Sequence, residues 1–120
     1  MHEMGVVLSI VRELKKQAEM YNVKKIGSVT LEIGELTGVI PLYVHNCWPA
    51  AIENTVVEGA QLIIREKEGL VTCKKCQHTY RVMNHTTKDN RADCPHCHSD
   101  EYTIIQGRDL TIEEIGVYDE

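Results

Sequence analysis

Two cysteine pairs constrain this chain more than any other feature. Cys73-Lys74-Lys75-Cys76 and Cys94-Pro95-His96-Cys97 each set two sulfurs on one tight turn. Cys-x-x-Cys pairs separated by roughly 15–20 residues are the sequence signature of a four-thiolate zinc site. The spacer is long enough to fold the two turns onto one ion as a tetrahedron. Four sulfurs leave no coordination position for water or substrate, so Zn(II) held by Cys73, Cys76, Cys94 and Cys97 is structural rather than catalytic. Disulfides and unbound thiols are the competing readings.

The residue after such a turn is often glycine, because the backbone can need a positive φ there. Here those positions hold Gln77 and His98. Three imidazoles, His78, His96 and His98, flank the pairs. Imidazole is a competent ligand for zinc and nickel. They are either solvated loop residues or ligands that replace a thiolate under acid or metal load.

A module of about forty residues cannot bury enough apolar surface to hold itself together, and such modules usually need a metal or disulfides. The whole chain, at 120 residues, is one ordinary domain or two very small ones. With one Trp and no Phe, the remaining core must rest on Val, Ile, Leu, Met and Tyr. The net charge of −5 argues against a nucleic-acid partner, since phosphate neutralisation needs concentrated Lys and Arg. The spacer carries Arg81, Lys88 and Arg91, but Asp89 and Asp93 offset most of that charge. No apolar run approaches the roughly 18 residues of a membrane span, and no signal peptide is expected. The cytoplasm is the expected compartment, where reduced thiols at a metal fit better than a disulfide framework. Cys47, beside Trp48, is expected to be a small buried core residue.

Taken in order, the chain alternates helical and extended patterns. Val6, Val7, Ile10, Val11, Leu14, Ala18 and Tyr21 share one stripe, predicting an amphipathic helix over about 4–22, closed near Asn22. Residues 26–34 alternate as a half-buried strand, with Val29, Leu31 and Ile33 on one side and Ser28, Thr30 and Glu32 on the other. Pro41 suits the first turn of a second helix over about 41–56, with Val44, Trp48, Ala51, Ile52 and Thr55 as its apolar stripe. Gly59 breaks that helix, and Ala60, Leu62 and Ile64 alternate as a second strand. Short strands are expected over 79–83 and 102–105 in the cysteine module. The closing run Leu110, Ile112, Ile115, Val117 slips by one at Glu113-Glu114, which suggests a bulge. That last strand needs a sheet to join, and the nearest belongs to the first half. The expected fold class is therefore α+β. Residues 1–68 and 106–120 form one domain and residues 69–105 a zinc-ribbon-like β insertion, with glycines at both linkers and some relative motion between the modules.

His2 has a separate consequence for transition metals. A free α-amine, the deprotonated amide nitrogen of His2 and its imidazole can close two fused chelate rings around one ion. Ni(II) and Cu(II) favour such tetragonal nitrogen sites. One in-plane position stays open for the Glu3 amide nitrogen, the Glu3 carboxylate or an imidazole from the cysteine module, His98 foremost.

Met1-His2-Glu3-Met4, the helix after it, Val29-Thr30-Leu31-Glu32-Ile33-Gly34-Glu35-Leu36, Glu58-Gly59-Ala60-Gln61-Leu62, the two cysteine pairs with His98, and the closing strand together resemble the HypA/HybF family of hydrogenase maturation nickel metallochaperones. The resemblance covers essentially the whole chain. It implies a nickel-binding domain of two helices on a three-stranded sheet, with an inserted zinc domain. It implies transient Ni(II) and structural Zn(II), and delivery of nickel to the large-subunit precursor of [NiFe]-hydrogenase together with the nickel-inserting GTPase HypB. His2 becomes the essential nickel ligand, Met1 and Glu3 contribute backbone nitrogens, and the four cysteines hold zinc. His98 matches a family position just after the last cysteine, a match that does not by itself place it on nickel. The stretch from Pro41 to Pro49 departs from the more phenylalanine-rich family pattern.

No nucleophile elbow, phosphate loop or paired acid and base is present, so no enzymatic turnover is expected. Two other readings are a zinc-ribbon adaptor without nickel transfer and a rubredoxin-like iron electron carrier. The first would need a basic or aromatic face; the second would be red and redox-active. A monomer or a homodimer is compatible with the sequence, since an exposed sheet edge permits strand exchange.

Overall fold

A computed structural model describes residues 3–82 and 93–117. Met1, His2, Met83, Lys88, Asp89 and Arg91, on which sequence expectations fall, lie outside the described residues. The element order is α1 (Glu3–Met20), β1 (Ile26–Gly34), α2 (Pro41–Ile52), β2 (Gln61–Lys67), β3 (Leu70–Cys73), β4 (Thr79–Arg81), β5 (Tyr102–Gln106) and β6 (Leu110–Val117). Two three-stranded sheets form, in the orders β2-β1-β6 and β4-β3-β5. The mixed α+β class expected from the sequence is the class observed.

The chain divides into two compact units. The first comprises Met1–Glu32, Val39–Arg65 and Thr111–Glu120; the second comprises Ile33–Gly38 and Glu66–Leu110.

In the first unit, α1 buries Val7, Ile10, Val11, Leu14 and Ala18, a stripe at the spacing one helix face requires. Glu3 in its first turn complements the positive end of the helix dipole. Asn22, with φ 56°, ends the helix by entering the left-handed region that asparagine tolerates. The Val23 amide then donates to the Ala18 carbonyl at 2.8 Å and the Asn22 amide to Glu19 at 3.4 Å, the paired bonds of a Schellman closure. Tyr21, expected on the buried stripe, falls just past the last helical residue and is 70% exposed.

The second helix packs against the first. Pro41 occupies its first turn with Ile40 as N-cap, where the missing amide hydrogen costs nothing. It ends at Ile52 rather than near 56. The Thr55 hydroxyl donates to the Ile52 carbonyl at 2.6 Å, and the Asn54 amide donates to the Glu58 carboxylate at 2.9 Å. Thr55 thus closes the helix instead of extending its apolar face. Val44, Trp48, Ala51 and Ile52 are buried, and the Trp48 indole N–H donates to the Ala60 carbonyl at 2.9 Å. Cys47 is only half-buried, because one residue before Trp48 a helix has turned by about 100°.

The middle strand β1 is more enclosed than the alternation predicts. Val29, Thr30 and Leu31 are all buried in succession, since each side chain of a middle strand is flanked by cross-strand neighbours on both sides. In β6 the half-buried positions run Leu110, Ile112, Ile115, with Glu113 and Glu114 both exposed, so the burial pattern slips where the sequence pattern does.

The second unit is built on β3, which the sequence reading left out. Three of its four residues pair antiparallel with β4, Val71 facing Tyr80, and all four with β5, Val71 facing Ile104. The segment after β1 is strapped to this unit. Gly34, Glu35 and Leu36 donate backbone hydrogen bonds to Asp109, Lys67 and Gly107 at 3.0, 2.9 and 2.7 Å. A Cβ on Gly34 would overlap the Gly107 backbone, and one on Gly69 would overlap the Val82 carbonyl. These glycines serve close backbone approach.

Candidate metal centre

Each cysteine pair sits on the same backbone device. In the first turn the Cys73 amide donates to the His78 carbonyl at 2.8 Å and the Gln77 amide to the Cys73 carbonyl at 3.0 Å. In the second the Cys94 amide donates to the Ser99 carbonyl and the His98 amide to the Cys94 carbonyl, both at 2.8 Å. The residue that closes each turn is left-handed, Gln77 at φ 66° and His98 at φ 65°. The turns need the positive φ inferred from the spacing, and this chain adopts it without glycine. The Lys74 amide reaches across to the Glu101 carbonyl at 3.0 Å, tying the first turn to the chain beyond the second.

The four sulfurs converge. Cys73 Sγ lies 3.5 Å from Cys97 Sγ, Cys76 Sγ lies 3.5 Å from Cys94 Sγ, and all four are within 4.8 Å of one another. Sulfurs about 2.3 Å from a tetrahedral zinc stand roughly 3.8 Å apart, so the donor set and its spacing suit structural zinc. Backbone amides already face two of the sulfurs: Cys76 N–H donates to Cys73 Sγ at 3.5 Å and His96 N–H to Cys94 Sγ at 3.4 Å.

Those amides divide the thiols electrostatically. The Cys76 amide is the chief reason the Cys73 thiol is lowered to about 6. Burial works against ionisation of Cys94, yet the amides of Cys97 and His96 bring it below the ordinary thiol value. The His78 amide pulls Cys76 down, but burial and the contacts with Cys94, Cys97 and Cys73 outweigh it and push the thiol up to about 12. Cys97 is raised too, its Ser99 amide being outweighed by Cys73 and by burial. Four thiolates at this spacing need a cation, and a divalent ion supplies the charge that lets all four ionise.

Around the sulfurs the apolar cluster is small: Val71, Cys73, Tyr80 and Cys94 are buried, with Leu36, Val82, Tyr102 and Ile104 partly so. Burial, then the charge on Cys94 and Cys73, pushes the Tyr80 hydroxyl up to about 12. Outside this cluster Glu35 closes a clasp. Its carboxylate accepts the Gly69 amide at 3.0 Å and is gripped by the Arg81 guanidinium at 3.0 and 2.5 Å. Glu35 also explains why the Arg81 value is raised. Sequence reasoning missed the clasp, because 46 residues separate its two members.

The other candidates are distributed as follows. Glu3 begins α1 and is half-buried. His98, His96 and His78 are exposed around the cysteine turns, and Met1 and His2 lie outside the described residues. No helix among the described residues is long and apolar enough to cross a membrane.

Fold and site define a small two-unit protein carrying a closed four-cysteine site suited to a structural metal. The model of the family described as "Hydrogenase/urease nickel incorporation, metallochaperone, hypA" matches residues 1–117. The chain belongs to the HypA family of metallochaperones, which are maturation factors and not enzymes. It is 37% identical over 117 residues to the hydrogenase maturation factor HypA of Crocosphaera subtropica, covering 98% of this chain and 96% of that one. It is 34% identical to the protein of the same name from Chlorobium limicola, at 98% and 97% coverage. The solution structure of the Ni metallochaperone HypA from Helicobacter pylori matches all of both chains with a TM-score of 0.68 and 25% identity.

Proposed function

We propose that this chain carries Ni(II) at its first residues and hands it on for [NiFe]-hydrogenase maturation, while Zn(II) on Cys73, Cys76, Cys94 and Cys97 only holds the second unit in shape. The observation that carries this reading is the closure of the cysteine site. All four sulfurs within 4.8 Å of one another fill a tetrahedron, leaving no exchangeable position for a cargo ion. In a family whose members incorporate nickel, the cargo then needs other ligands, and His2 with the Met1 amine and the Glu3 amide offers a tetragonal nitrogen set that nickel favours. His98 is a candidate for a further ligand.

Release follows from the same chemistry. A chelate at a chain end is open on one side, so an incoming protein ligand can replace its donors one at a time. The receiving partners on this reading are the hydrogenase large-subunit precursor and the GTPase HypB, acting in the cytoplasm. One equivalent of nickel added to zinc-loaded protein with an unextended amino terminus is fully bound. In His2→Ala that binding is lost, while zinc content and the amide spectrum stay unchanged. Undiminished stoichiometric binding by His2→Ala would refute the assignment.

A further inference from the structure

One pair of side chains near the cysteine turns has no part in this scheme. His78 follows the first pair and His96 lies inside the second, so each imidazole is carried by a different turn. Their ring centroids are 5.7 Å apart with the planes inclined by 31°. His78 also stacks on Tyr80, with centroids 6.3 Å apart and planes inclined by 11°, and Tyr80 is buried in the cluster beside the sulfurs. One ring is therefore backed by the core of the unit, while both imidazoles are exposed.

The spacing has a direct meaning for metal chemistry. A ring nitrogen sits about 1.1 Å from the imidazole centre and bonds zinc or nickel at roughly 2.1 Å, so two rings sharing one ion have centres no more than about 6.4 Å apart. The observed separation falls inside that limit. Rotation of an exposed imidazole about its terminal torsion, which is broad and nearly free, can aim a nitrogen at a shared ion. The geometry points to a second, solvent-facing site on this unit, in which His78 and His96 together take a divalent transition ion of imidazole preference. The four converging sulfurs set the spacing of the two turns that carry the pair. With two protein ligands and open positions for water it is weaker than the closed site and exchanges readily.

Nickel alone is the probe. Zinc-loaded His2→Ala protein, which lacks the proposed chain-end site, is titrated with excess Ni(II), and the ring signals of all assigned histidines are followed by NMR. The signals of His78 and His96 broaden together and saturate at one ion, while His45 on α2 is unaffected. His78→Gln and His96→Gln each weaken binding by at least about tenfold, and the double variant is no weaker than the weaker single one. Zinc content and the amide spectrum, measured on every variant, report retention of the fold. Broadening of only one of the two rings, or equal affinity in either single variant, overturns the pair. That result leaves the carrier reading intact, whereas stoichiometric binding in His2→Ala at equimolar nickel would refute the carrier reading instead.

Discussion

The two units hold themselves together by different physics. In the first, Val7, Leu14, Val29, Leu31, Val44 and Val57 are fully buried, and each such side chain contributes about 1.5–3 kcal/mol by leaving water. In the second, the buried cluster is Val71, Tyr80 and two of the four cysteines. A core that small needs a metal or a cross-link, and the four sulfurs within 4.8 Å of one another offer a site for one. The first unit is stabilised by apolar area, and the second is built for stabilisation by coordination. A unit of the second kind is placed under control of an ion, which the first is not.

Removing zinc is the strongest way to break the comparison. Chelation, or Cys94→Ala, collapses the dispersion of amide signals from residues 70–82 and 93–106, while signals from α1 and α2 persist. Loss of both sets together would show that the first unit also depends on the metal. Leu14→Ala gives the converse result: removing a fully buried leucine costs about 2–5 kcal/mol, lowering the unfolding midpoint of the first unit while zinc stoichiometry is unchanged. Within the second unit, Glu35→Ala frees the Gly69 amide and costs about 1.5–3 kcal/mol, the range for a hydrogen bond to a charged acceptor. Arg81→Ala, at a half-exposed side chain, costs less, because water screens exposed ion pairs. Denaturant midpoints of the two variants give that order. The smallest effect is expected at Gln77, where glycine removes a left-handed strain of roughly 1–2 kcal/mol but adds chain entropy. Gln77→Gly therefore stabilises zinc-loaded protein by about 1 kcal/mol or less.

The cysteine-bearing unit was legible where chemistry repeats in sequence and obscure where it does not. Cys73, Cys76, Cys94 and Cys97 announce themselves by spacing, and Gln77 and His98 were flagged because a turn there needs positive φ. The helical stripe from Val7 to Ala18 fixed α1 by its period, and Asn22 marked its end. In contrast β3, the middle strand of the second sheet, was missed because Leu70–Cys73 is too short to show alternation. Its identity comes from pairing on both sides. Thr55 was assigned to the face of α2 from periodicity, whereas its hydroxyl bonds the Ile52 carbonyl. The Glu35 clasp joins distant residues, for which one sequence carries no signal, whereas His78 and His96 stand beside the cysteine pairs in sequence and only their pairing with one another needs the structure.

The central claim is that two ions occupy two chemically separate places. X-ray absorption at both metal edges tests it directly, on unextended protein carrying one zinc and one equivalent of nickel. Zinc is predicted to keep four sulfur neighbours, with nickel surrounded by nitrogen and oxygen alone. Sulfur around nickel, accompanied by release of zinc, would contradict the account.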